Sequence, residues 1–466
     1  MASGFAWRKL VSFLAVPVLL AATVGVATAL DTPPPTPVPV PCAQAPHQHH
    51  NGSGGPGASR GAEASPGSGV CLSPSPFPSV LHTPPPSGKP PRKAPPISAR
   101  TAILEDLDSG QVLFSRHPDD ERPLASTTKV MTALVALSMG DPEDVIRVGP
   151  DAAEEGRAGA GFSELGLKLG ERITVEQLLY ALMLQSANDA SVALADGLAG
   201  TTERFVAAMN RKARALGLHH TRFFSPSGLD DRGHSTARDL AAITRQAFRQ
   251  PLFARIVATK FHVVPSQAGR ARRIQNRNVL LWLYRGAIGG KTGYTSAAGF
   301  CLVAAAERGH RRLLAVVLDE PSGDDSFDDA ASLLNFGFRG FRRVTLAREG
   351  QVLAPVPVGT ESLSVRAATG LSPLLPVGRA AKVKHAVRVR SGLELPLAAG
   401  TTVGTVRYLL GGRPLGRVSM VVPVGARAGP AASSSGAGRP VGSPWYTRGA
   451  GAVVTFAARA FWSLFG

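Results

Sequence analysis

A serine and a lysine stand three residues apart at the head of an apolar stretch, in Ala125-Ser-Thr-Thr-Lys129 followed by Val-Met-Thr-Ala-Leu-Val-Ala-Leu. On a helix, positions i and i+3 share one face. The charge of Lys129 would then face the core, where it must be paired or neutral. Apolar neighbours and other cations lower the pKa of a lysine, and a neutral amine can take the proton of Ser126. The pair predicts a serine nucleophile, although Ser-x-x-Lys alone also occurs by chance.

Two further motifs follow in order. Ser186-Ala-Asn188 lies where two predicted helices meet, 60 residues after Ser126, and Gly289-Gly-Lys-Thr-Gly293 precedes a strand, with its lysine 105 residues after Ser186. Taken alone, the first is also typical of a helix cap and the second of a glycine-rich turn. The phosphate-loop spacing is absent. Together the three motifs resemble the S-x-x-K, S-x-N and K-T-G set of penicillin-binding proteins and serine β-lactamases.

The neighbouring residues narrow this resemblance. The segments around the three motifs, and Phe224-Ser-Pro-Ser-Gly-Leu-Asp230 with Gly233-His-Ser-Thr-Ala-Arg-Asp-Leu240, are similar to the low-molecular-mass D-alanyl-D-alanine carboxypeptidases. The likeness covers about residues 98–345. It continues more weakly in Leu393-Glu-Leu-Pro-Leu-Ala-Ala-Gly-Thr-Thr-Val-Gly-Thr-Val406, which resembles the family's second domain. The apolar tail of the chain is also consistent with this resemblance, since members of that family often end in an amphipathic membrane-anchoring helix.

The resemblance implies an acyl-enzyme mechanism. Ser126 would attack the carbonyl between two D-alanines, Lys129 would be the base for that attack, and Ser186 would relay a proton to the leaving amine. The backbone N–H of Ser126 would form half of an oxyanion hole. The other half would be an N–H near Tyr294 or Thr295, and the sequence does not decide which.

Four residues are implied in substrate binding. Asn188 would orient the substrate amide. Lys291 would provide positive charge for the terminal carboxylate, Thr292 would hydrogen-bond it, and Gly293 would complete the substrate-binding turn. A carboxylate ligand would require a cationic Lys291 beside a neutral Lys129, two lysines in opposite protonation states. No metal and no cofactor are expected.

The sequence departs from related families in two places. A class A β-lactamase needs a glutamate for deacylation, and no Glu-x-x-Leu-Asn stands between Ser186 and Lys291. Glu203 is better explained as a charge at a helix N-terminus. Lasting acylation by penicillin is therefore expected rather than rapid hydrolysis. Ser225 stands where the family often has Asn, and we expect this loop position to tolerate the change.

Other polar clusters are predicted to carry no chemistry. Asp230, Asp231 and His234 are predicted to be structural, because the three motifs already supply every proton transfer. The three histidines between residues 47 and 50 lie in a low-complexity tract without acidic or cysteine partners at metal spacing. A metal site is not expected there.

Composition divides the chain into six segments. Residues 1–29 are typical of a secretory signal, with Arg8 and Lys9 before an apolar run and Ala27-Thr-Ala29 as the cleavage site. An uncleaved anchor is the alternative. The remaining predictions are a disordered Pro/Gly/Ser-rich spacer (30–97), a catalytic domain (98–350), a small β domain (351–425), a flexible linker (426–447) and an apolar tail (448–466). The tail is suited to a membrane interface, with a core helix as the alternative.

The order of elements predicts an α+β fold. A hairpin is expected around Ser109-Gly110, and a second strand pair joined at Arg308-Gly-His310. Helices are expected in the middle of the catalytic domain. One should begin at the capping box Thr174-Val-Glu-Gln177, and a second should run over about residues 189–198. The strands from both ends should share one antiparallel sheet beside a helical subdomain. This matches the β-lactamase/transpeptidase-like fold that the resemblance implies, followed by a small all-β domain.

The net charge of +18 indicates either a solvated basic surface or attraction to an anionic envelope. Nucleic-acid binding is not expected, because aromatic residues make up only 6% and no such motif is present. The three cysteines are too few for a disulfide scaffold. Cys42 could pair with Cys71, and Cys301 is predicted to be a small buried hydrophobe.

The sequence thus predicts an extracytoplasmic serine D,D-carboxypeptidase that trims peptidoglycan stem peptides and is acylated by β-lactams. It would be attached to the outer face of the membrane or to the wall. The alternatives are D,D-endopeptidase or β-lactamase activity at the same site, and a non-catalytic wall-binding or β-lactam-binding protein. The oligomeric state and the third residue of the stem are not predicted.

Overall fold

The computed structural model describes residues 93–158, 163–266, 271–353, 355–358, 361–423 and 453–455. They lie in one compact unit, Ser73–Gly466. The predictions on the signal, most of the spacer, the histidine cluster, Cys42 and Cys71, the linker and all but three residues of the apolar tail fall outside these residues. Among the helices that the model describes, none has the length and apolar character needed to cross a bilayer.

The strands are numbered in chain order: β1 Thr101–Asp106, β2 Val112–Arg116, β3 Arg122–Pro123, β4 Val145–Arg147, β5 Arg172–Thr174, β6 His234–Ser235, β7 Phe261–Val264, β8 Arg272–Gln275, β9 Ala287–Thr295, β10 Gly299–Arg308, β11 Arg311–Glu320, β12 Phe341–Arg343, β13 Val356–Val358, β14 Glu361–Leu363, β15 Arg366–Ala367, β16 Leu374–Pro376, β17 Val383–Val389, β18 Thr402–Leu410, β19 Arg413–Val421 and β20 Val453–Thr455. The α-helices are Lys129–Met139, Pro150–Ala158, Val175–Tyr180, Asn188–Ala199, Thr202–Ala215, Ala237–Ala247, Pro251–Ala258, Leu280–Leu283 and Gly323–Gly340. Short 3₁₀ turns lie at Ala125–Thr128 and Ala380–Lys382, and a π-helical turn at Ala181–Gln185.

The central sheet has the strand order β2-β1-β11-β10-β9. Its β1–β2 and β10–β11 hairpins turn at the predicted Ser109-Gly110 and Gly309-His310 positions. The two ends of the domain meet in this sheet because β1 pairs antiparallel with β11, from Thr101 opposite Leu318 onward. The predicted shared sheet is therefore confirmed.

Helices cover both faces of the sheet, which is why its strands are apolar on both sides. Alternate residues of β1 enter different cores: Ile103 packs among the helices of the catalytic subdomain, whereas Leu104 packs against Gly323–Gly340. The period of two along a strand produces this division. The Lys129–Met139 helix lies in the first core, and eight of its residues are buried.

The two helices on either side of Ser186 begin within one residue of their predicted starts. Thr174 caps its helix by accepting a hydrogen bond from the N–H of Gln177 at 3.3 Å. Only half of the predicted capping box forms, because the Gln177 side chain instead contacts His262 at 2.8 Å. The following helix spans Asn188–Ala199, where the sequence predicts about 189–198.

The small domain is built on a second sheet, with the order β15-β19-β18-β17-β20. Its inner face, which includes Val403, Val406 and Met420, packs against the β13–β14 hairpin. In the chain tail, β20 pairs with the free edge of β17, with Val453 opposite Arg388 and Thr455 opposite Ala386. The catalytic domain and the all-β domain together confirm the predicted α+β fold class.

Candidate active site

The serine lies in the 3₁₀ turn Ala125–Thr128, and the α-helix begins at Lys129. In a 3₁₀ turn, side chains at i and i+3 eclipse each other. Ser126 and Lys129 therefore stack more directly than they would on the predicted α-helix. Their Oγ and Nζ atoms are 2.9 Å apart.

Lys129 is fully buried, and oxygen atoms meet its Nζ in three directions. Besides Ser126 Oγ, these are Asn188 Oδ1 and the backbone oxygen of Ser227, each at 2.8 Å. The two carbonyl oxygens can only accept, so they take both N–H groups of a neutral amine and leave its lone pair toward the Ser126 hydroxyl. Burial, followed by the nearby Arg277 charge, lowers the pKa of Lys129 to about 7. The geometry and the pKa both fit the predicted base.

The loop Phe224–Leu229 supplies the Ser227 oxygen. Gly228 packs so closely on the serine turn that a Cβ there would lie 1.9 Å from the Ala125 oxygen. Ser225 Oγ accepts a hydrogen bond from the N–H of Gly228 at 2.9 Å. Serine and asparagine stabilise turns by the same acceptor role, which explains how Ser225 replaces the expected asparagine.

Ser186 ends the π-helical turn in a left-handed conformation, with φ of 65°. Such a conformation is uncommon for a non-glycine residue and costs on the order of 1–3 kcal/mol. Its Oγ is buried, and no described residue hydrogen-bonds it. Its hydroxyl therefore makes no hydrogen bond to Lys129 or Ser126 in this structure and is available to a substrate atom.

Asn188 links the nucleophile to a neighbouring loop. Its side-chain oxygen accepts from Lys129, and its backbone N–H donates to the Ser163 oxygen at 2.6 Å. The adjacent Asp189 carboxylate is buried and accepts the N–H groups of Leu165, Gly166 and Leu167 at 2.8–3.1 Å. The loop that carries Glu164 is thereby fixed beside the site.

The third motif lies inside β9, not in the turn that its glycines suggest. β9 is the edge strand of the sheet, and its open edge faces the serine turn. A Cβ on Gly293 would lie 3.1 Å from the Ser126 nitrogen and 3.0 Å from the Thr127 nitrogen, so glycine permits this close approach. The arrangement brings the first and third motifs together.

Lys291, the lysine of the third motif, is also buried. It is 1% exposed, and its Nζ donates to the Thr292 oxygen at 2.8 Å. Burial, then the charges of Lys129 and Arg277, lower its pKa well below the usual value. The prediction of opposite protonation states concerns the carboxylate-bound site and stays a prediction. Within the described residues, neither lysine has a counter-charge at contact distance. A carboxylate ligand would supply one for Lys291.

Three charged residues around Lys129 escaped the sequence analysis. Arg277 donates to Ser163 Oγ at 3.1 Å, and its charge lowers the pKa of both lysines. Glu155 and Glu164 act in the opposite direction on the pKa of Lys129. The polar run Asn276-Arg-Asn278, directly before the apolar stretch 279–283, was the available signal for Arg277. No sequence signal marked the two glutamates, because they lie between the first and second motifs and belong to neither.

The residues predicted to be structural have structural contacts. Asp230 pairs with Arg232, and Asp231 accepts from Thr295 Oγ1 at 2.8 Å. His234 contributes backbone hydrogen bonds to Arg222. Cys301 is a free, buried thiol whose pKa burial raises to about 12, which confirms its predicted character. No group of potential metal ligands was found among the described residues.

Comparison with known proteins gives two family matches. Residues 89–322 match the family model described as D-alanyl-D-alanine carboxypeptidase, and residues 341–424 match the one described as penicillin-binding protein 5, C-terminal domain. The residues of all three motifs lie within the first match.

Individual relatives agree with these matches. The chain is 44% identical over 246 residues to D-alanyl-D-alanine carboxypeptidase DacB2 of Mycobacterium tuberculosis, which covers 52% of this chain and 82% of that protein. It is 35% identical over 343 residues to DacA of Escherichia coli, covering 70% and 83% respectively. Penicillin binding protein 5 from Haemophilus influenzae has a similar structure, with a TM-score of 0.63 and 31% identity over 72% of this chain and 99% of that one.

Proposed function

The chain belongs to the D-alanyl-D-alanine carboxypeptidase family, and on that premise we propose how its residues carry out the reaction. It is a penicillin-binding serine D,D-carboxypeptidase that removes the terminal D-alanine of peptidoglycan stem peptides. Ser126 attacks the peptide carbonyl and becomes acylated, while Lys129 takes the hydroxyl proton. Water then releases the shortened peptide.

One observation carries these roles: the Lys129 amine faces the Ser126 hydroxyl while two carbonyl oxygens occupy its N–H groups. A base held in this way removes a proton without first losing one. The unpartnered hydroxyl of Ser186 supports its role in passing a proton to the leaving amine. Lys291 and Thr292 receive the terminal carboxylate on the edge strand, and Asn188 and Gly293 bind the adjoining peptide.

We further propose that the protein works outside the cytoplasm. The signal-like residues 1–29 support secretion, and the apolar residues 448–466 support attachment to the outer membrane face or the wall. An anchored catalytic domain would meet its substrate in the growing wall. β-Lactams would acylate Ser126 because they present the same carbonyl and carboxylate.

The first experiment measures free D-alanine released from a diacyl-peptide that ends in D-Ala-D-Ala. We expect release by the purified protein and none by Ser126→Ala. A matched control is Ser115→Ala, which changes an exposed serine of β2, at the edge of the sheet opposite β9, and removes no proposed catalytic group. It should retain release if it folds, which circular dichroism checks.

The remaining outcomes separate the alternatives. If no D-alanine appears but a fluorescent penicillin labels Ser126, cross-linked muropeptides become the substrate to test, and endopeptidase activity replaces the proposal. Rapid loss of the label would instead indicate a β-lactamase. If D-alanine is not released and Ser126 is not labelled, catalysis is contradicted and the binding-protein alternative remains.

A further inference from the structure

The charged side chains on the outer face of the small domain's sheet are all cations in the strands that the structure describes. Five exposed side chains, here called the basic face, belong to Arg366 of β15, Lys384 and Arg388 of β17, Arg407 of β18 and Arg417 of β19. None of these four strands contains an acidic residue. Between residues 361 and 423 the sequence has nine Lys or Arg and two Glu, a formal charge of 9 − 2 = +7.

Strand register establishes that these side chains share one face. Arg407 is directly opposite Arg417 on β19 and Ala386 on β17, so Lys384 and Arg388 are its diagonal neighbours. Arg366 is opposite Val421, two positions further along the same face from Ser419. The other face carries Val387, Val406 and Val418, which are opposite one another and turned to the core.

These cations are not neutralised within the described residues. No ion pair or side-chain hydrogen bond joins any of the five to another described group, whereas arginines of the catalytic domain are commonly paired, as in Arg245–Glu105 and Arg272–Glu171 at 2.7 Å. Like charges directly opposite on adjacent strands destabilise a sheet. An anionic ligand would remove this repulsion, so the face is complementary to a surface of negative charge.

The residues that follow β20 favour a lipid surface over other anionic ligands. β20 lies along the free edge of β17, beside Arg388, and 466 − 455 = 11 residues follow it. In sequence these residues include Phe456, Phe461, Trp462 and Phe465, with Arg459 as the single charge. Apolar aromatic residues suit a lipid interface and have no partner in a hydrated wall polymer. A polybasic patch next to an apolar segment is a two-part membrane attachment.

We propose that the basic face docks the small domain on an anionic phospholipid surface. This inference does not need the carboxypeptidase activity, but it does rest on the proposed location beside a membrane. The apolar tail would contribute on any lipid. The basic face would contribute to binding only where the headgroups are negative. The contributions of the tail and of the basic face can therefore be measured separately.

The test is sedimentation of the full chain with two vesicle types, pure phosphatidylcholine and a 7:3 mixture with phosphatidylglycerol. We expect stronger binding to the anionic vesicles. The variant Arg388→Gln/Arg407→Gln/Arg417→Gln should lose more than tenfold of this preference, since each charge at a lipid surface is worth about fivefold in binding. Its binding to neutral vesicles should not change.

The matched control is Arg204→Gln/Arg211→Gln/Arg214→Gln, which removes three exposed charges from one helix of the catalytic domain. It should keep the anionic preference. Labelling by a fluorescent penicillin checks that each variant is folded. If the first variant labels poorly, Arg407→Gln replaces it, with an expected loss of about fivefold.

Three results would overturn the proposal. Equal losses in both triple variants would mean that total charge, not this face, determines binding. An absence of anionic preference in the unmodified chain would exclude a lipid ligand. If the first variant lost binding to soluble polyglycerol phosphate while its vesicle preference stayed intact, the face would bind a wall polymer. Failure to release D-alanine would leave the vesicle result unaffected, so the two proposals fail separately.

Discussion

The active site and the small domain's sheet both gather cationic side chains, but in opposite environments. Lys129 and Lys291 are buried, and burial followed by neighbouring positive charges, including Arg277 in both cases, lowers the pKa of each lysine. On the basic face, Lys384 and its neighbouring arginines are exposed to solvent. Water stabilises the charge in the second place and is excluded from the first. The same residue type is therefore a proton acceptor in one region and a fixed positive charge in the other.

The largest expected effect on the acylation rate comes from replacing one lysine of the active site, with a lysine of the basic face replaced for comparison. Lys129→Met removes the base while nearly keeping its volume, and we expect the rate of Ser126 acylation by penicillin to fall by about 10²–10⁴. Lys384→Met should leave that rate within twofold. Stopped-flow fluorescence with a labelled penicillin measures both. Comparable losses at the two positions would mean that folding, not proton transfer, had been disturbed.

The pH dependence of acylation tests the environment of Lys129. Since the neutral amine is the base, the rate should rise with pH about tenfold per unit below about 7 and level off above it. Arg277 lowers this pKa, so Arg277→Gln should move the rise to higher pH. Glu164 raises the pKa, so Glu164→Gln should move it to lower pH. Shifts in the same direction for both variants would contradict an electrostatic role.

A smaller effect, the uptake of protons, is expected when a ligand carboxylate binds beside Lys291. Burial and the neighbouring cations lower its pKa in the free site, and an anionic ligand would raise it again, so binding should take up protons at pH values between the two pKa values. Calorimetry of a D-Ala-D-Ala peptide with Ser126→Ala, in buffers of different ionisation enthalpy, counts the protons.

Lys291→Met on the same background should abolish the uptake, whereas Lys129→Met should preserve most of it. A binding enthalpy that is independent of the buffer would show that Lys291 does not change its protonation state.

The smallest effect concerns repulsion on the basic face. Arg407→Thr removes a cation opposite Arg417 and should raise the free energy of unfolding of the small domain by roughly 0.2–1 kcal/mol at low salt. The gain should shrink in high salt. Arg413→Thr is the control, because Arg413 is opposite Leu410. Thermal unfolding measures both, and an equal gain at Arg413 would point to β propensity instead.

Much of the fold was predictable because its signals are local. The continuous apolar runs of the central strands, the Ser109-Gly110 turn and the Thr174 cap each depend on residues close in sequence. The sequence also determined the chemistry, since three motifs at their spacing identify the family without any coordinates. Cys301 was correctly assigned from its apolar neighbours alone.

Other features depend on tertiary packing. The approach of Arg277, Glu155 and Glu164 to Lys129 joins segments that are far apart in sequence, and no local pattern encodes it. The depth at which Lys291 is buried could not be predicted either, because a motif gives a residue's position but not its solvation. The basic face emerged only from strand register, which places Arg407 opposite Arg417. Sequence determined which groups are present, and tertiary structure decided their burial and neighbours, on which the properties of a charge depend.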